Sequence, residues 1–100
     1  MKKLFISQPM RGFTDEEILK ARQKAIAEAE KAIGEKVEVL ESFFEGFNPT
    51  GNIPVAYLGK SISLLAEADI VYFGKGWNEA RGRKIEHEVA KQYGIKTIEY

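Results

Sequence analysis

Residues 68–74 read Ala-Asp-Ile-Val-Tyr-Phe-Gly, and the middle of that stretch, Ile70 to Phe73, is an unbroken apolar run. A strand with one wet face alternates apolar and polar residues. A short run without alternation fits a strand covered on both faces, as in a parallel sheet flanked by helices. The neighbours on each side support that reading. Upstream, Val55 to Ala66 places Leu58, Ile62 and Leu65 on one stripe at helical spacing. Downstream, Gly74 to Glu79 reads as a loop, Ala80 to Tyr93 as a helix, and Ile95 to Glu99, after Gly94, as a last strand.

The same alternation holds towards the amino terminus. Lys3 to Ser7 is rich in strand-favouring residues and is stopped by Pro9. Thr14 followed by Glu17 is a capping box, with Asp15 and Glu16 suited to the positive end of a helix. Ile18, Ala21, Ala25, Ala29, Ala32 and Ile33 then recur at helical spacing, predicting an amphipathic helix over Asp15–Ile33 that Gly34 ends. Val37 to Leu40 reads as a strand. Glu41 to Pro54 reads as a long loop of Gly, Asn and Pro carrying Phe43, Phe44 and Phe47. Long loops that carry aromatics suit a lid or an interface better than a linker.

Strict β-α-β-α-β-α-β order predicts a three-layer, flavodoxin- or Rossmann-like α/β fold. The expected sheet is parallel and four-stranded, in the order 2-1-3-4, with room for a fifth short strand. A chain of 100 residues fits a single domain with one core. With 15 basic and 15 acidic residues the net charge is zero, which argues against a nucleic-acid polymer as partner. Cysteine is absent and histidine occurs once, which excludes a thiol nucleophile and disfavours a structural zinc site; no metal or cofactor is expected. The start, Met1 to Ser7, is too short in its apolar stretch for a signal peptide, and no run is long enough to span a membrane. A cytoplasmic location is the expectation.

Chemistry in such a sheet belongs beyond the carboxyl ends of the strands, near the switch between strands one and three. Ser7, Gln8, Met10, Arg11 and Gly12 lie there ahead of a helix N-terminus, a combination suited to an anion. Gly59-Lys60-Ser61 falls inside a helix and lacks the leading glycine of a P-loop. Gly74-Lys75-Gly76 meets Glu79 where a dinucleotide fingerprint needs its third glycine. Glu86 precedes Ala90 by four residues and Tyr93 by seven, so it is expected on the helix face turned to the sheet, with the anion favoured by the nearby helix N-terminus. That suits a nucleophile, with Asp69 close enough to act as proton donor. A solvated helix face for Glu86 and a plain turn for Asp69 are the competing readings. Trp77 suits stacking on a base or an oligomer contact, Tyr72 the core, and His87 the surface.

Three stretches, Phe5-Ile6-Ser7-Gln8-Pro9-Met10-Arg11-Gly12, Ala68-Asp69-Ile70-Val71 and Gly82-x-x-x-Glu86-x-x-x-Ala90, resemble the nucleoside 2-deoxyribosyltransferase superfamily. That superfamily includes the 2'-deoxynucleoside 5'-monophosphate N-glycosidases. The resemblance runs nearly end to end. It implies cleavage or transfer at the N-glycosidic bond of a nucleoside or nucleoside 5'-monophosphate. Glu86 would be the nucleophile and Asp69 would assist the base. Ser7, Gln8, Met10, Arg11 and Gly12 would hold the sugar or phosphate, with Trp77, Arg81 and Gly82 completing the site. It also implies a homodimer or higher homo-oligomer. Glu88 and Arg81 depart from the pattern and favour the alternative, a non-catalytic nucleotide-binding module. The aromatic loop suggests a third reading, a partner-binding domain.

Overall fold

A computed structural model of the chain describes residues 1–7, 13–41 and 46–99. In chain order the elements are β1 (Lys2–Ser7), α1 (Asp15–Ile33), β2 (Val37–Val39), α2 (Ile53–Leu65), β3 (Ile70–Phe73), a 3-10 turn (Trp77–Glu79), α3 (Arg81–Gln92) and β4 (Lys96–Glu99). The four strands form one parallel sheet in the order β2-β1-β3-β4. Leu4 pairs with Ile70 and Ser7 with Phe73, so the carboxyl ends of the two central strands are level. No fifth strand occurs among the described residues.

Strand parity divides the interior in two. Leu4, Ile6, Ile70 and Tyr72 face α1, where Ala25 and Ala29 let the helix approach closely. Phe5, Val71 and Phe73 face the opposite layer, where they meet Leu65 of α2 and Ala90 of α3. All four residues of β3 are buried, as the run without alternation requires. Each large side chain withdrawn from water in this way contributes roughly 1.5–3 kcal/mol before entropy is subtracted.

Helix ends follow local chemistry. The Thr14 hydroxyl accepts from Glu17 N at 3.1 Å, and Glu17 Oε1 accepts from Thr14 N at 2.9 Å, the expected capping box. Gly34 closes α1 in the left-handed region at φ 82°, where a side chain would be strained. Several element ends shift by one residue from the sequence reading, and two differences go further. α2 starts at Ile53, because Asn52 caps it by accepting from Val55 N at 3.1 Å and Pro54 sits in the first turn, where its missing N–H costs nothing. The expected loop after β3 contains the 3-10 turn over Trp77–Glu79, entered through Gly76 at φ 84°. No described helix is long and apolar enough to cross a membrane.

Candidate active site

Ser7 ends β1 on the face that α3 covers, since it shares parity with Phe5. Gly74 N donates to the Ser7 carbonyl at 2.9 Å, locking the ends of β1 and β3 together. On α3, Ala90 is fully buried against the sheet, and Glu86, one turn earlier, is buried on the same side. The two polar residues meet: Ser7 Oγ donates to Glu86 Oε1 at 3.0 Å. Among the described residues Glu86 Oε2 accepts no hydrogen bond, and Glu86 keeps 7% of its surface open. Burial pushes the Glu86 carboxyl above its ordinary value; the Ser7 hydrogen bond and the charge of Arg83 offset this in part. The expectation of an anion favoured overall by the helix end is therefore corrected. Desolvation outweighs the two favourable partners, so the net shift is upward.

Arg83, absent from the sequence reading, closes the floor of this site. Its Nη2 donates to the carbonyl oxygens of Ser7 at 3.1 Å and Gly74 at 2.6 Å, and its Nη1 to that of Lys75 at 3.5 Å. Its buried Nε has no partner among the described residues. Arg83 and Glu86 stand three apart on α3, the spacing of helix neighbours. That spacing was the one available signal, and it was masked by the general richness of the segment in charge.

Beside this pair the N-terminus of α3 opens onto a groove of about 590 Å³. Gly51 to Val55 and Leu58 form one wall; Arg81, Gly82 and Ile85 form the other. Among the described residues no side chain caps α3, and its first turn carries no acidic residue, so its leading N–H groups suit a polar partner. A Cβ at Gly82 would lie 3.8 Å from Leu58, an ordinary contact, so helix packing does not demand glycine there. Glu86 is not among the lining residues. The groove and the Ser7–Glu86 pair are adjacent faces of one helix turn, with Gly82 one turn before Glu86.

Trp77 is half-buried and stacks on His87, with ring centroids 3.9 Å apart and planes 20° from parallel. Phe73 meets the His87 ring edge-on at 5.0 Å. His87 Nε2 bonds Glu99 Oε1 at the end of β4, and this contact, together with Lys91, holds the Glu99 carboxyl below its ordinary value. His87 is therefore not the surface residue expected from sequence: it is an internal prop under Trp77. Tyr72 is in the core, as expected.

The expected convergence of Asp69 with Glu86 is corrected. Asp69 precedes β3, at the amino edge of the sheet, and its Oδ2 accepts from Lys3 N at 2.8 Å. The strand length separates it from Ser7 and Phe73 by roughly 13 Å, at about 3.3 Å per residue. It fastens the start of β1 to the start of β3 and is exposed. Tyr93 follows α3 as its C-cap and is 80% exposed, so it does not share the buried face of Glu86. Gln8, Met10, Arg11 and Gly12 lie outside the described residues, as do Phe43 and Phe44.

A family profile described as a domain of unknown function, DUF4406, matches residues 2–99, which is nearly the whole chain. The chain belongs to the DUF4406 family. No curated protein and no solved structure matches it.

Proposed function

We propose that this DUF4406 domain cleaves or transfers the N-glycosidic bond of a nucleoside or nucleoside 5'-monophosphate, with Glu86 as nucleophile. The observation that carries the reading is the buried Glu86, tied through one oxygen to Ser7 at the carboxyl ends of β1 and β3. Departure of a base from the anomeric carbon passes through an oxocarbenium-like state. A carboxylate at that carbon can trap it as a glycosyl ester, which water or a second base then resolves. Ser7 would keep Oε1 engaged and leave Oε2 to bond the sugar. The uncapped first turn of α3 supplies main-chain donors beside Arg81 and Gly82, where a sugar hydroxyl or phosphate would fit. Arg11, four residues beyond Ser7 in sequence, would add charge for a 5'-phosphate. The leaving base takes up its proton from solvent water, since Asp69, at the amino ends of the strands, stands too far away to donate it. The resemblance to nucleoside 2-deoxyribosyltransferases supports the same reading.

A second reading, nucleotide binding without turnover, is favoured by Arg81 and Glu88, both exposed on α3. Incubation with deoxynucleosides, ribonucleosides and their monophosphates, followed by chromatography, separates the two. Free base is expected from wild-type protein and none from Glu86→Gln. Ligand-dependent thermal stabilisation without any base release, across the whole panel, would overturn the enzymatic reading in favour of the binding module.

A further inference from the structure

We propose that Arg83 is a positioning residue: it clamps the ends of β1 and β3 under the site and keeps a positive charge beside Glu86 without pairing with it. The consequence for turnover rests on the glycosidic reading above; the clamp and its action on Glu86 do not.

Arginine and glutamate three residues apart on an exposed helix face would ordinarily form an ion pair. Here no nitrogen of Arg83 comes within 4.0 Å of a Glu86 oxygen among the ion pairs of the described residues. The guanidinium turns instead to three main-chain carbonyls, those of Ser7, Gly74 and Lys75. A bidentate Arg–carboxylate pair would occupy both oxygens of the nucleophile. Among the described residues the observed arrangement leaves Oε2 without a hydrogen bond, and the Arg83 charge still favours the Glu86 anion, as the smaller of its two favourable partners. It also sets Ser7. The Ser7 carbonyl takes both Gly74 N and Arg83 Nη2, which fixes the main chain whose hydroxyl reaches Glu86.

Among the described residues no other group on the elements around α3 bonds Glu86. Glu79 of the 3-10 turn is exposed, and Lys60 of α2 is exposed over the Phe47 ring. Glu99 of β4 is engaged by His87 and Lys91, while Lys96 reaches the Ala32 carbonyl. Tyr72 of β3 faces the α1 side. Ser7 and Arg83 are the two groups that favour the Glu86 anion, against its burial.

The test is an NMR titration of protein carrying 13C-carboxyl glutamate, with the Glu86 signal assigned by its loss in Glu86→Gln. Arg83→Gln keeps amide donors near the carbonyls but removes the charge; Arg83→Lys keeps the charge with fewer donors. The Glu86 midpoint is expected to move to higher pH in Arg83→Gln and to return towards wild type in Arg83→Lys. Where Arg83→Gln does not fold, Arg83→citrulline, made by chemical synthesis, removes the charge at constant shape. In turnover the acid limb should move the same way. On that limb kcat should fall on the order of tenfold per unit of movement, with KM unchanged. An unmoved Glu86 midpoint in the neutral variants would overturn the proposal, whatever their stability. A moved midpoint in a protein that releases no base would uphold Arg83 and reject the glycosidic reading instead.

Discussion

At the residue scale the molecule depends on where two carboxylates stand. Glu86 is held in a place that disfavours its charge. Its carboxyl is raised in the folded state, so folded protein holds the proton over a pH window in which unfolded chain has lost it. Stability contributed at this position therefore falls as pH rises from the ordinary carboxylate value through the raised one. Glu86→Gln removes that titration and can still accept from Ser7. Chemical denaturation should show the variant gaining on wild type as pH rises from 4 to 8, while base release falls by orders of magnitude. A stability difference that does not move towards the variant between pH 4 and 8 would show that the anion is not disfavoured in the fold. Asp69 makes the opposite case. Asp69→Ala removes the acceptor of Lys3 N, at a cost of about 0.5–1.5 kcal/mol, and should leave kcat within twofold of wild type. A large loss of kcat with little loss of stability would return Asp69 to the chemistry.

The two helical layers divide the work between them at the scale of elements. α1 is a long amphipathic helix capped at both ends, and its buried alanines serve only to pack on β1 and β3. Thr14→Ala removes the cap oxygen that Glu17 N uses, and should cost about 1 kcal/mol of thermal or denaturant stability. Base release at 25 °C should stay unchanged, because α1 lies on the face of the sheet away from Glu86. The Glu17 carboxyl is held below its ordinary value by Thr14, so its own contribution is present above the ordinary carboxylate range and fades as pH drops through the lowered value. α3 carries the opposite compromise. It begins without a side-chain cap, with basic residues in its first turns where acidic ones would be more stabilising. Such a start is poor for an isolated helix and good for receiving an anion.

At the scale of the whole molecule, the rim of the groove carries exposed apolar surface. The aromatic residues expected to drive association are in part used internally: Phe47 packs edge-on to Tyr57 at 5.2 Å, and Trp77 lies on His87. Exposed apolar side chains occur at several places; those along the groove are Ile53 and Val55 of α2 and Ile85 of α3, each more than 40% exposed. The proposed homo-oligomer would use this rim, which would also wall the groove. Light scattering at micromolar concentration is expected to give at least twice 11.3 kDa, and Val55→Glu combined with Ile85→Glu should return the mass to one chain. A wild-type mass of 11.3 kDa, unchanged by nucleotide, would reject association.

Periodicity alone determined the layers of this protein. The unbroken Ile70–Phe73 run, the helical spacing from Ile18 to Ile33 and the stops at Gly34 and Gly94 specify strands, helices and their order, because each reflects a local match between side-chain repeat and backbone repeat. Strand order followed, since right-handed crossovers leave few ways to join such elements. The burial of Glu86 was legible from its spacing to Ala90. Asp69 precedes the Ile70–Phe73 run, so a parallel sheet already places it at the amino ends of the strands, away from Glu86. Two things required the folded chain. The protonation of Glu86 is a balance between burial and two partners, and burial is a property of the assembled layers. Arg83 looked like any charged residue on a helix. Only the meeting of Ser7, Gly74 and Lys75 beneath it, distant in sequence and joined by the sheet, turns its guanidinium inward.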